Sequence, residues 1–204
     1  MIRKLIILII IWLTFTALQY FMLPYFVKPL TWLLFCLTLF ILSIGQIIKT
    51  IKERKDLKLD RILNLSIILI LLLFTFYNFN KIPTSIMEKI DWKISYNKRN
   101  QIIKEVENGQ LKPNTEMSNG ICKLPFKFPI VSNGGNEIWI HESQNSHLKT
   151  IKFWISRGFF ESPQTYFIYT NDKESKNHYQ ELIENIPEYN WKIEENWFRI
   201  TERY

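Results

Sequence analysis

Three long stretches of the sequence contain no charged side chain, and this feature limits what the chain can fold into more than any other. They are residues 5–23, 30–48 and 62–79. Each approaches the roughly 20 apolar residues that a helix needs to cross a bilayer. None shows the polar face expected of a helix that covers a soluble core. The sequence therefore predicts three transmembrane helices, within a membrane anchor formed by residues 1–80.

The basic residues predict which side of the membrane each part occupies. The formal net charge is +7, and much of the excess flanks the apolar stretches, with Arg3 and Lys4 at the start and six Lys or Arg in the loop 49–61. Lys and Arg near a span are preferentially retained in the cytoplasm. We therefore expect a multi-pass protein whose N-terminus and 49–61 loop are cytoplasmic and whose C-terminal part is extracytoplasmic.

The charge distribution also disfavours two classes of function. Residues 81–204 carry 17 basic and 16 acidic side chains, whereas a nucleic-acid-binding domain needs a basic patch. We expect no nucleic-acid partner. The apolar stretches contain only hydroxyl and amide side chains as polar groups, so an ion-coupled transporter is also disfavoured. These groups are expected to bond neighbouring helices or their own backbone.

The extracytoplasmic part is predicted to be a juxtamembrane helix followed by a small α+β domain. Over 81–108 an apolar stripe runs through Ile86, Ile90 and Ile94 and resumes at Ile102, Ile103 and Val106. In the domain, residues 109–204, alternation and turn residues predict a mostly antiparallel sheet with its helices on one face. The predicted strands are 121–124, 137–142, 148–156, 165–170 and two within 189–201, with a helix at 175–186.

Several segments of the domain resemble a known pattern. They are GQLKPN (109–114), KLP (123–125), GGNEIWI (134–140), FWISRGFFESPQTYFIYTND (153–172) and WKIEENWFRI (191–200). Together they resemble small bacterial three-span membrane proteins with a C-terminal extracytoplasmic domain. The resemblance implies the domain boundary and no activity. The expected localisation is the bacterial cytoplasmic membrane, because the chain has three predicted spans and its heavy use of Ile, Lys and Asn is typical of AT-rich bacterial genomes.

Residue patterns for catalysis or cofactor binding are missing from the sequence. It contains no Gly-rich phosphate loop and no G-x-S-x-G turn. The histidines do not have the spacing of metal ligands, so we expect no cofactor, no metal and no catalytic residue. A membrane-bound envelope enzyme is the less favoured alternative, and its candidate catalytic residues are Glu137, His141, Glu142 and Glu161. Cys36 and Cys122 are predicted in different compartments, which excludes a disulfide within the domain.

Aromatic side chains in or beside the strands are the candidate partner-binding residues: Trp139, Trp154, Phe159, Phe160 and Tyr169. Trp139 and Trp154 alternate with the isoleucines of their strands, so they should project together from the second side of the sheet. Two interpretations remain open. Either a helix covers these rings, or they form an exposed patch that binds a partner.

These observations favour a non-enzymatic, membrane-anchored protein that presents its extracytoplasmic domain for protein–protein interaction. Immunity proteins and accessory or sensory subunits of envelope complexes act in this way. The expected partners are the lipid bilayer and a protein outside the cytoplasm. The main alternative is a structural or assembly subunit whose helices form a homo-oligomer.

Overall fold

The structure, a computed structural model, describes residues 2–22, 27–76, 81–116, 120–143, 148–157 and 163–202. The chain divides into two compact units, Met1–Lys89 and Ile90–Tyr204. The helices are α1 (Ile2–Phe21), α2 (Lys28–Lys52), α3 (Leu59–Phe76), α4 (Lys81–Glu107) and α5 (Lys173–Asn185), with a 3-10 turn at Arg54–Asp56. The strands are β1 (Ile121–Lys123), β2 (Glu137–Glu142), β3 (Lys149–Ser156), β4 (Gln164–Thr170), β5 (Trp191–Glu194) and β6 (Trp197–Glu202). The division falls inside α4, whereas the sequence suggested boundaries at its two ends.

The first unit contains the apolar helices. Two of them, α2 and α3, are long and apolar enough to cross a membrane, and Leu5–Phe21 of α1 is apolar but shorter. Only 17% of the most apolar window in α2 and 22% of that in α3 is buried inside the structure. The helix at the centre of a soluble core would be mostly buried. Most Leu, Ile and Phe side chains of these helices instead face outward.

Hydrogen bonds join the three apolar helices at Thr75. The indole of Trp12 in α1 donates to Thr75 Oγ1 at 2.8 Å, and the indole of Trp32 in α2 donates to the Thr75 carbonyl at 2.9 Å. Gln19 of α1 also donates to Thr31 of α2 at 2.7 Å. The remaining described hydroxyls mostly bond the carbonyl four residues earlier in their own helix, as in Thr16, Thr38 and Ser43. The expected use of the polar side chains in these stretches is confirmed.

The second unit is built on a six-stranded sheet in the order β1-β2-β3-β4-β6-β5. Every neighbouring pair is antiparallel. The element order and the antiparallel pairing are those predicted from alternation and turn residues. α5 connects β4 to the edge strand β5, and its N-terminus is capped by Asp172, whose carboxylate accepts from the Ser175 N–H at 2.9 Å.

The two helices of this unit cover opposite faces of the sheet. The ring centroid of Trp92 in α4 lies 5.0 Å from those of Phe167 and Trp197. Tyr179 of α5 lies 5.6 Å from Phe198, and adjacent strand residues such as Trp197 and Phe198 point to opposite faces. The prediction of helices on one face is therefore wrong. The central strands are buried on both sides, so each side needs its own cover.

The apolar stripe predicted for α4 is also only half correct. Ile102, Ile103 and Val106 are buried, but Ile86, Ile90 and Ile94 are 52%, 41% and 73% exposed. The buried positions between Thr84 and Arg99 are instead Glu88, Asp91, Ser95 and Arg99. Along this segment the buried face of the helix is polar, and three isoleucines are left on its outer surface.

Candidate functional site

The aromatic residues predicted to bind a partner do not share one surface. Trp139 and Trp154 lie on the α5 face of the sheet, where both pack in the cluster that contains Tyr179, so they share a face as predicted. Tyr169 lies on the α4 face, with its ring 5.5 Å from that of Trp197. The other two candidates, Phe159 and Phe160, lie outside the described residues.

Trp154 belongs to the interior of the domain. Its side chain is 3% exposed and its ring centroid lies 5.5 Å from that of Tyr166. The indole N–H donates to Gln164 Oε1 at 2.8 Å, and the Arg157 guanidinium lies over the ring at 4.9 Å. The ring is thus covered on its faces and its polar atom is satisfied. Trp154 fills the core and offers little surface to another molecule.

Trp139 is half-buried at the border of the same cluster. Its indole crosses close over Gly120, where an added Cβ would lie 2.3 Å from the indole nitrogen. The ammonium of Lys152 lies 5.1 Å from the Trp139 ring centroid and forms a 2.6 Å ion pair with Glu202. Only a glycine at position 120 allows this packing. The ring is therefore fixed by backbone on one side and by a paired cation on the other.

Tyr169 lies at the end of the sheet near the C-terminus of α4. Its hydroxyl donates to Glu107 Oε1 at 3.4 Å. Burial raises the pKa of the Tyr169 hydroxyl, and the negative charge of Glu107 raises it further. A phenol with a raised pKa stays protonated at neutral pH, so Tyr169 is a hydrogen-bond donor here and not a base.

The α4 face contains a buried ion pair that the sequence analysis did not identify. Arg99 and Asp91 are each 1% exposed, and Arg99 Nη2 donates to both Asp91 carboxylate oxygens at 2.9 Å. Arg99 Nε donates to the Val131 carbonyl at 2.9 Å, and Ser95 donates to Asp91 Oδ1 at 3.1 Å. The guanidinium also lies 4.6 Å from the centroid of the Phe167 ring. This group ties α4 to the sheet and to the loop before β2.

An exposed tryptophan stands at the β5 edge of the sheet. Trp191 is 42% exposed, and the guanidinium of Arg199 lies 4.5 Å from its ring centroid. Arg199 Nη1 in turn donates to the Tyr189 carbonyl and to Thr201 Oγ1. These bonds hold the guanidinium behind the ring. One face of Trp191 is therefore supported by a fixed cation while much of the side chain remains accessible.

A second exposed ring is displayed by the segment 125–130, here named the Phe128 loop. Phe128 is 83% exposed, whereas Asn136 is 1% exposed. The Asn136 amide nitrogen donates to the carbonyls of Phe126, Lys127 and Pro129 at 3.3, 3.2 and 2.8 Å. Its amide oxygen accepts from Val131 N–H at 2.8 Å. Asn136 has a φ of 55°, a conformation that asparagine tolerates better than most residues. One buried side chain thus fixes the shape of the loop that carries Phe128.

The residues considered for catalysis are separated in the structure. Glu137, at the start of β2, accepts from Arg157 Nη1 at 2.7 Å. His141 and Glu142 are exposed at the other end of β2. Glu142 lies about 17 Å from Glu137 along the extended strand. Glu161 lies outside the described residues. Among the residues whose placement is described, no group of three His, Cys, Asp or Glu could hold a metal ion.

Both cysteines are free and buried. Burial raises the pKa of the Cys122 thiol, and a thiol that stays protonated is a poor nucleophile. Cys122 is a small residue of the domain core and is 0% exposed.

No family model, curated protein or solved structure matches the chain.

Proposed function

We propose that the protein is a membrane-anchored, non-enzymatic interaction protein that presents its α+β domain to a protein partner outside the cytoplasm. In this proposal α1, α2 and α3 each cross the membrane. The uncovered apolar side chains of α2 and α3 support the anchor, because such a surface is stable only in lipid or against another protein. The hydrogen bonds from Trp12 and Trp32 to Thr75 support association of the three helices inside the bilayer.

The orientation in the proposal comes from the basic residues. Arg3, Lys4 and the six basic residues of the loop 49–61 would be cytoplasmic. The Arg61–Glu53 ion pair at 2.7 Å lies in that loop region, which keeps a net charge of +3 from six basic and three acidic residues. An odd number of spans then places residues 81–204 outside.

A marker protein that is active only after export should therefore be active when fused after Tyr204. A marker that is active only in the cytoplasm should be inactive at the same position. A fusion of each marker within the loop 49–61 is the matched control and should give the reverse pattern. Cytoplasmic activity at the C-terminus, with export activity in the loop, would contradict the proposed orientation.

The observation that carries the partner-binding part of the proposal is the exposed Trp191 ring on the fixed Arg199 guanidinium. Tryptophan, arginine and tyrosine are the residues most enriched among those that dominate binding energy at protein interfaces. Because Arg199 already holds the Trp191 ring in place, the ring loses little side-chain freedom on binding. The partner would pack on the Trp191 ring at the β5 edge. An immunity-type protein or an accessory or sensory subunit of an envelope complex would use the surface in this way.

Replacing Trp191 with alanine should weaken partner binding by about 30-fold or more, the loss expected from removing a dominant interface residue. The measurement is quantitative co-purification of the partner with the full-length protein from its own membranes. Lys192→Ala is the matched control, because Lys192 is the next residue of β5, is also exposed and points to the opposite face. It should retain the partner.

A partner that both variants retain equally would contradict this function, because it would place the binding surface elsewhere. Loss of the partner would also follow if the Trp191→Ala domain had unfolded. An unchanged thermal unfolding midpoint of the variant excludes that explanation.

A further inference from the structure

The N-terminal half of α4 carries an apolar stripe on its outer surface. Ile86, Ile90 and Ile94 are 52%, 41% and 73% exposed, and residues four apart lie on one side of a helix. We refer to these three residues as the α4 stripe. The opposite side of the same helix is occupied by buried Asp91, Ser95 and Arg99, so Ile90 and Ile94 face away from the sheet.

The charges around the α4 stripe are all positive. Lys89 and Lys93 are exposed on the helix beside the isoleucines, and Lys98 follows one turn after Ile94. The two carboxylates in this half of the helix, Glu88 and Asp91, are 6% and 1% exposed. The accessible side chains of the helix between Thr84 and Lys98 are therefore apolar, cationic or uncharged, as in Thr84, Ser85 and Asn97. The exposed carboxylate beside this segment is that of Glu194, which accepts from the Tyr96 hydroxyl at 2.8 Å.

The Phe128 loop extends this surface. The Lys98 ammonium lies 4.9 Å from the centroid of the Phe126 ring, and Arg99 bonds the Val131 carbonyl at the end of the loop. These contacts place the loop beside the Ile94 end of the stripe. Phe128 is 83% exposed, and its neighbour Lys127 is exposed as well. Like the α4 stripe, the Phe128 loop therefore combines an exposed apolar side chain with neighbouring lysines.

We infer that the α4 stripe and the Phe128 loop lie against a bilayer surface that carries anionic lipid headgroups. Interfacial helices combine an apolar face, which enters the boundary between headgroups and acyl chains, with lysines that attract anionic lipid. The inference rests on the proposed function, in which α3 crosses the membrane. α4 begins five residues after α3 ends, so α4 then starts at the membrane surface.

Contact of α4 with anionic lipid also accounts for basic residues that otherwise disfavour the proposed membrane orientation. Lys81, Lys89 and Lys93 follow α3 within about 20 residues on the outer side, where basic residues near a span are disfavoured. Anionic headgroups at that surface would neutralise them. A second copy of the chain fits less well, because two such faces would bring lysines of the same sign together.

Site-specific photo-crosslinking of the full-length protein in vesicles tests the inference. Benzoylphenylalanine is introduced separately at Ile94 and at Phe128, and the adducts are identified by mass spectrometry. In vesicles of phosphatidylcholine with phosphatidylglycerol, both positions should form lipid adducts at least ~3-fold above their level in phosphatidylcholine alone, because anionic lipid strengthens interfacial binding. The variant with Lys89→Glu and Lys93→Glu should lose that increase. The same probe at Gln180, exposed on α5, is the matched control and should form no lipid adduct above background.

A probe at Leu73 separates failure of the inference from failure of the proposed function. Leu73 is 54% exposed on α3 and should form lipid adducts in both kinds of vesicle. Lipid adducts at Leu73 but only background at Ile94 and Phe128 would overturn the inference and leave the anchor intact. Background at Leu73 as well would overturn the anchor. Adducts at Ile94 that join two copies of the chain would replace lipid docking with a homodimer. An unchanged unfolding midpoint of each variant confirms that it is folded.

Discussion

Replacing Asp91 with alanine should lower the free energy of unfolding of the α+β domain by about 3–5 kcal/mol, the usual cost of breaking a buried ion pair from one side. The substitution leaves the Arg99 guanidinium without its carboxylate in a site where both residues are 1% exposed. Typical domains are stable by only about 5–15 kcal/mol in total, so the loss is a large fraction of the stability. Urea unfolding of the full-length protein in detergent, followed by tryptophan fluorescence, measures it.

Glu137→Ala is the matched control for the charge. Glu137 also pairs with an arginine, Arg157, but the two side chains are 25% and 28% exposed. Its removal should cost about 1 kcal/mol or less, because water screens and replaces the interaction. Equal losses from Asp91→Ala and Glu137→Ala would show that the buried pair has no special role in holding α4 on the sheet. Asp91→Asn, which keeps the shape of the side chain, is the second variant if Asp91→Ala does not fold.

Replacing Trp154 with alanine should lower the free energy of unfolding by about 3–5 kcal/mol, the range measured for large aromatic residues removed from cores. The substitution empties the space between Tyr166 and the Arg157 guanidinium and removes the indole bond to Gln164. The same unfolding measurement applies. A loss of partner binding in this variant would reflect a destabilised domain and would say nothing about the binding surface.

Trp191→Ala is the control, because it removes the same side chain from an exposed site on the same sheet. Trp191 is 42% exposed against 3% for Trp154, and exposed substitutions usually change stability by about 0.5 kcal/mol or less. Loss of the Arg199 contact adds about 0.5–1 kcal/mol to this. A large loss from Trp191→Ala with little from Trp154→Ala would contradict the burial of these two rings.

The sheet could be predicted because its signals are local. β2 alternates Ile138 and Ile140 with Glu137, Trp139 and His141, and the Asn133–Asn136 turn marks where it begins. Such patterns depend only on the two-residue period of a strand and on turn residues. The placement of the helices is not local. Nothing within α5 specifies that it covers the face opposite to α4, since that depends on which face each strand leaves open.

The α4 stripe and the Arg99–Asp91 pair show why the surface of this helix was misjudged. Each residue of a helix turns by about 100°, so residues exactly four apart drift by about 40° at each step. Ile86 and Ile102 are therefore about 160° apart and cannot belong to one face. The sequence analysis did not identify Asp91 and Arg99 as buried, because charged residues are rarely buried unless paired and a pair eight residues apart is not apparent from the sequence.

The aromatic residues predicted from the sequence to bind a partner did not include Trp191. Among them, Trp154 is 3% exposed and packs in the core. Trp191 could not be separated from them by sequence, because its exposure arises from the position of β5 at the end of the sheet. Phe128 was not predicted either, because it lies in a loop and the prediction considered only aromatic residues in or beside strands.

The hydrogen bonds of Asn136 determine how readily Phe128 can meet another surface. Most loops of this length sample several backbone conformations, and contact then requires that one of them be selected at a cost in conformational entropy of about 1–2 kcal/mol per residue. Three carbonyls of the Phe128 loop are already held by one buried amide. Folding of the domain has thus met this entropic cost in advance, so that contact needs to immobilise little more than the phenyl ring itself.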